Sequence, residues 1–347
     1  MKPPVLHLGI AGAGLVGRLL AHGLSRAGHR VSVFARSSGP EPPASARAAA
    51  SFAAPGFVGR QGRSGSPHAR SQVLIDWRRL DGELQGAPCL RARGTLALGE
   101  RPPPGSRGGP IDEAVPLSPA QLVRLEPRIG RREDAWLVTD EAVVDAPATL
   151  RALHRLGTGV QWHWGCEALA VEPGALALSG SRRGWRHFDA VFDSRGVGAR
   201  DELGLRLLRH DMMTLDLPSH GLRRPVRWCA AEMDPLVPWA PVRVLLPQGP
   251  DQLVLVSSRE TPKDDGAPLP LLALRHHLDA ACALMPSLKH ASLRQTSHVL
   301  SADGRQGLPW IEVETRRVRI NGLGAEGWRH APGLVDEALS RWQTHLS

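Results

Sequence analysis

The chain has no tyrosine, only three lysines (Lys2, Lys263 and Lys289), four cysteines, and no apolar run near the roughly 20 residues that cross a bilayer. Each shortage removes a class of protein. Without a long apolar run there is no membrane-spanning helix. The N-terminal apolar stretch is broken by glycines and by Arg18, so it does not read as a signal peptide, and a cytoplasmic protein is expected. Cys89, Cys166, Cys229 and Cys282 stand far apart with no CxxC spacing, which excludes a zinc ribbon or a disulfide framework and leaves buried free thiols. The net charge of +9 is almost wholly arginine, scattered along the chain. Nucleic-acid binding, which needs clustered basic residues and stacking aromatics, is not expected, and the arginine excess reads as codon bias of a GC-rich genome.

What is present begins at once. An apolar strand from Val5 to Ile10 runs into Gly12-Ala13-Gly14-Leu15-Val16-Gly17 and then into a helix-like stretch, and Val31 to Phe34 reads as a second strand. In this strand–turn–helix context GxGxxG is a dinucleotide-binding signal. The first glycine makes the turn, the second lets a pyrophosphate approach the backbone, and the third packs helix on strand. The free N–H groups of the helix N-terminus then face the phosphates. A length of 347 residues with 42% hydrophobic content fits one large α/β unit or two interleaved domains.

Further along, Ser37 to Ala48 is a loop leading to the small-residue patch Ala49 to Ala54, suited to lying against a flat ligand. Ser71 to Leu84 reads as a helix. Ser118-Pro119 caps a short helix ending near Pro127, and a second helix begins near Ala146. An apolar strand, Ala190 to Asp193, meets Gly196 and Gly198, a second turn open to backbone approach. Val226 to Ser258 is strand-rich, Leu269 to Met285 is helical, and a strand ending in Asn321-Gly322 precedes a last helix from about Gly333 to Gln343.

The pieces GAGLVGRLLA, LSPAQLVRLEP, DEAVVDAPATLRAL, FDAVFDSRGVGAR, RRPVR and INGLGAEGWRHAP stand in one order along the chain. Together they resemble the FAD-dependent D-amino acid oxidase superfamily, nearest to its glycine oxidase-like members. The resemblance implies a Rossmann-like FAD-binding domain (1–88, 141–208 and 298–347) interleaved with a smaller antiparallel-sheet substrate domain (89–140 and 209–297). It places FAD against Gly12, Ala13, Gly14, Leu15, Val16 and Gly17, the strand end Ala35-Arg36, the patch with Ala50, Ser51 and Phe52, then Ala168 and Gly196, and the loop Gly322, Gly324, Ala325, Glu326, Gly327 and Trp328. It implies oxidation of a C–N bond of a small amine or amino-acid-like substrate. The hydride goes to flavin N5 and the electrons to O2 or another acceptor, with no obligatory protein acid or base.

Two departures stand out. The family's acidic residue at the end of the second strand is here Ala35, followed by Arg36. That pair also suits the 2′-phosphate of NADP, as in ketopantoate reductase, and keeps an NADP-dependent reductase open as an alternative. The family's substrate-carboxylate arginine falls at Ser301, and its tyrosine at Val244. Arg305, Arg243 and Arg329 are nearby replacements, with a surface ion pair as the plainer reading of each. His298 and His330 are candidate bases or structural histidines, and Trp310 and Trp328 are candidate pocket walls or core residues. His276-His277, adjacent on a helix, is not a metal pair. Loss of the anchors also leaves open a non-catalytic flavin-binding protein. The oligomeric state is not readable.

Overall fold

The computed structural model describes residues 4–41, 67–87, 90–91, 93–99, 114–130, 134–139, 141–229, 242–261, 267–304, 309–324 and 327–346. Its first sheet contains β1 (His7–Ala11), β2 (Arg30–Ala35), β6 (Val160–Trp164), β10 (Ala190–Asp193), β16 (Trp310–Val313) and β17 (Arg317–Asn321), in the order β16-β17-β10-β1-β2-β6. All neighbours are parallel except the β16–β17 pair. Parallel strands are covered on both faces, and β1 and β2 accordingly bury nearly every residue.

One face of this sheet packs on helices α1 (Leu15–Arg26), α2 (Pro67–Glu83) and α7 (Gly327–Leu346), with Leu8, Ile10, Val31, Val33, Phe192 and Ile320 at the contact. The other face carries a small meander of β7 (Ala168–Glu172), β8 (Ala175–Leu178) and β9 (Gly184–His187), packed through Phe34, Val191, Leu176 and Phe188.

The second sheet has eight strands: β3 (Thr95–Leu98), β4 (Ala114–Leu117), β5 (Ala135–Val138), β11 (Arg206–Asp216), β12 (Val226–Cys229), β13 (Val242–Gln248), β14 (Gln252–Thr261) and β15 (Ser292–Asp303). Their order is β15-β11-β14-β13-β12-β3-β5-β4, antiparallel except for the β12–β3 pair. Helices α3 (Pro119–Leu125) and α6 (Leu271–Leu284) cover one face through Leu122, Ala281 and Leu284. The cap expected at Ser118 is present and is part of a full capping box: Gln121 N–H donates to Ser118 Oγ at 3.3 Å, and Ser118 N–H to Gln121 Oε1 at 2.7 Å. Helix α4 (Ala146–Leu156) is capped by Asp145, which accepts from Ala148 N–H at 2.8 Å, and α5 (Arg200–Leu203) is a single turn.

One boundary differs from expectation. The last helix starts at Gly327 rather than Gly333, with Pro332 inside it. An interior proline normally breaks a helix because it lacks the N–H that bonds the carbonyl four residues back. Here that carbonyl, Trp328, accepts instead from the indole Nε1 of Trp77 at 2.9 Å. A side chain from α2 thus stands in for the missing donor.

Candidate functional site

The glycine turn is built for a close backbone approach. Gly12 has φ of 104°, and a Cβ there would lie 2.5 Å from the Ser194 carbonyl oxygen. A Cβ on Gly17 would lie 1.9 Å from the Gly12 carbonyl oxygen, so α1 can sit this close to β1 only with glycine. Gly14 is different in kind: a Cβ there would meet nothing within 4 Å. Its bareness serves nothing inside the protein and leaves open space beside the α1 N-terminus. Gly14 is the N-cap of α1 without a side-chain cap, and the first turn holds no acid, so the leading N–H groups suit an anion. These residues fit the pyrophosphate of a dinucleotide.

Ala13, Leu15 and Val16 anchor the turn by packing on the core beneath. Arg18 clamps it from behind, donating to the carbonyls of Ala13 (2.9 Å), Leu150 (2.6 Å) and Pro40 (2.7 Å), with Trp162 and Trp164 within 6 Å of its guanidinium. Burial pulls this guanidinium down to about 10, with Glu41 acting the other way. At the end of β2, Ala35 is buried and Arg36 exposed. The first acid beyond them, Glu41, lies 3.7 Å from Arg151.

At the second turn Gly196 has the positive φ (56°) expected of a backbone-approach turn, and its N–H donates to Asn321 Oδ1 at 2.7 Å, tying β10 to β17. Ala168 buries its side chain between the first sheet and the meander. Ala50, Ser51, Phe52, Arg305, Ala325 and Glu326 lie outside the described residues.

The glycine-rich loop after β17 meets the second sheet directly. Asp303 at the end of β15 bridges Leu323, Gly304 N–H donates to Gly322 O at 2.8 Å, and a Cβ on Gly324 (φ 55°) would strike the Asp303 carboxylate. Since strand residues alternate between faces, register decides what stands beside this junction. Ser301, Val299 and His210 share one face of the sheet with Met212, Val256 and Val244. The two positions where the family's substrate anchors were expected, Val244 and Ser301, therefore lie on one face, opposite to α6.

Val244 is 3% exposed, in an apolar cluster with Met212 and Val256. Ser301 is half-buried and bonds His210, which sequence reasoning passed over. His210 Nε2 is 2.8 Å from Ser301 Oγ and Nδ1 is 2.8 Å from Ser258 Oγ; burial pushes the imidazole down to about 4, Asp211 opposing, so it is neutral. A signal was available: Arg209-His210-Asp211 interrupts an otherwise apolar strand, which forces polar side chains onto both buried faces.

The other candidates lie elsewhere. Arg243 is neither on the Val244 face nor at the surface: it is buried against α6, donating through Nε to His277 Nδ1 at 3.2 Å. His298 pairs across the ladder with Asp211, also away from Ser301. Arg329 is on the buried side of α7 with Pro332 and Val335, and burial, followed by the Arg329 charge, draws the neighbouring His330 to about 4. Trp328 stacks on Trp77, with ring centroids 6.1 Å apart, and Trp310 packs by Leu205 and Ala302; both are partly buried against the core clusters. The His276 and His277 rings are 6.0 Å apart and splayed by 67°, and no metal-binding cluster occurs among the described residues. No helix there is long and apolar enough to cross a membrane.

The chain is 26% identical over 346 residues, 96% of each chain, to a Rhizobium etli protein named as a proposed thiamine biosynthesis oxidoreductase, ThiO. Its fold matches glycine oxidase from Geobacillus kaustophilus with a TM-score of 0.75 at 19% identity, over 98% of this chain and 95% of that one. It also matches iminodiacetate oxidase from a Chelativorans species with a TM-score of 0.70 at 18% identity, over 96% and 94%. With the match to the DAO family of FAD-dependent oxidoreductases running from residue 7 to 338, the chain belongs to that family, an enzyme family whose cofactor is FAD.

Proposed function

We propose that the protein oxidises a C–N bond of a small amine or amino-acid-like compound, as the names of its ThiO and glycine oxidase relatives suggest, with O2 or another acceptor taking the electrons. The observation that carries this reading is the meeting of the Gly322–Gly324 loop with the Ser301 face of the second sheet. FAD, when bound, supplies the two-electron acceptor. The chain's own part would be to hold it and to orient the amine: Gly12 to Gly17 and the α1 N-terminus would take the pyrophosphate, the Gly322–Gly324 loop would flank the ring, and Val244, Met212 and Val256 would exclude water. His210, with both nitrogens engaged, is not a general base, so the amine must arrive neutral and aligned. Segments 1–88, 141–208 and 298–347 would form the FAD domain, with β11 and β15 running across its boundaries into the substrate domain.

The NADP alternative rested on Ala35-Arg36 alone and does not agree with membership of an FAD family. The test is the visible spectrum of the purified protein, then anaerobic addition of glycine, sarcosine, D-amino acids and aromatic amines. Flavin bands that bleach with an amine support the reading. Flavin bands that no amine bleaches overturn it and favour a different bond or a non-catalytic role.

A further inference from the structure

The polar set on the Ser301 face has a defined proton arrangement. A neutral imidazole carries one N–H and one bare nitrogen. His210, flanked by two serine hydroxyls at 2.8 Å, therefore accepts from one and donates to the other. The serine that accepts keeps its own O–H for a third partner. Ser301 is the better placed of the two, since it lies two residues before Asp303, which bridges the glycine-rich loop, and it is half-buried where His210 is only 6% exposed.

Among the described side chains, the charges around it are engaged. On this face Arg206 bonds Asp303 at 2.5 Å at one end, and Asp216 bonds Arg294 at 2.8 Å at the other. Arg227, across from Val244 on β12, lies 3.8 Å from Glu141, which is itself buried. Between these ends the described side chains are hydroxyls, a neutral imidazole and the apolar group Met212, Val244 and Val256. A carboxylate stripped of water here without a guanidinium would lose several kcal/mol. A carboxamide has the donors and acceptor that a hydroxyl matches, and no charge to desolvate.

Building on the amine oxidation proposed above, we propose that Ser301, positioned by His210, hydrogen-bonds the substrate, and that the site takes amines with an uncharged, carboxamide-type head group in preference to α-carboxylates. His210 acts through Ser301 and is a positioning residue.

The experiment uses the FAD-loaded enzyme and matched pairs: glycine with glycinamide, sarcosine with sarcosinamide, D-alanine with its amide, and the unreactive pair acetate and acetamide, read by perturbation of the flavin spectrum. The expected result is half-saturation by each amide at a concentration at least tenfold lower than by its acid. Ser301→Ala is expected to raise the amide KM about tenfold, the worth of one hydrogen bond, with a smaller change in kcat, and Ser301→Thr to retain tight binding. Acids that bind more tightly than amides, or Ser301→Ala leaving the amide KM within twofold, overturn the assignment. If no amine reduces the flavin, the amine-oxidising reading fails, and the acetamide–acetate pair still decides this one. A preference for acetamide that Ser301→Ala abolishes supports it, and equal binding overturns it.

Discussion

At the scale of single residues, Gly14 and Gly17 look alike in sequence and do opposite work. Gly17→Ala would set a methyl 1.9 Å from a backbone oxygen, so α1 must shift, at a cost of about 3 kcal/mol or more. Gly14→Ala meets nothing in the protein and should change stability by less than about 1 kcal/mol. Its methyl would stand where the pyrophosphate approaches, so FAD affinity should fall at least tenfold. Melting of the FAD-free variants together with FAD titration checks both, and equal loss of stability in the two would contradict the assignment. Both glycines and the division of labour between them were legible in the motif; the structure adds the clearances, open space at Gly14 and 1.9 Å at Gly17.

At the scale of elements, the join of α2 to α7 depends on one exchange of donors. Trp77 supplies the N–H that Pro332 cannot give to the Trp328 carbonyl. Trp77→Phe keeps the ring against Trp328 but leaves that carbonyl unpaired, and should cost about 1–3 kcal/mol. Pro332→Ala restores a main-chain N–H, so in the Trp77→Phe background it should recover part of the loss. Additive losses in the double variant, measured by urea unfolding, would count against the exchange. The sequence reading began this helix six residues late because proline signals a helix start or stop, and the compensating donor lies 255 positions away. Strands β11 and β15 were passed over for a related reason: Arg209-His210-Asp211 and the polar run from Ser292 to Ser297 hide the alternation that marks a strand.

At the scale of the whole molecule, several imidazoles are buried uncharged. Burial first of all lowers His210, His277 and His330 to about 4, below the unfolded value near 6.5. Above pH 6.5 both states are neutral and the fold keeps its full stability. As pH falls from about 6.5 to about 4, the unfolded chain binds protons that the folded chain refuses, and stability drops by of order 1 kcal/mol per pH unit for each histidine. Glu126 and Asp336, both raised by burial, act in the opposite sense and offset part of this. Unfolding midpoints should therefore fall between pH 7 and pH 5, and His210→Gln should flatten the slope. A flat profile over that range would contradict neutral burial.

The sequence by itself determined the dinucleotide turn, the family, the mixed α/β architecture and the two positions where substrate anchors were missing. These follow from local signals: glycine spacing, apolar periodicity, capping residues and the order of short motifs. Only the tertiary structure decided which side chains stand together at those positions. Ser301 and His210 are 91 positions apart and meet because β15 and β11 pair in one register. Arg243, adjacent in sequence to Val244, was turned to the other face by strand alternation alone. A residue's face depends on its partner strand, and no local pattern in one strand records that.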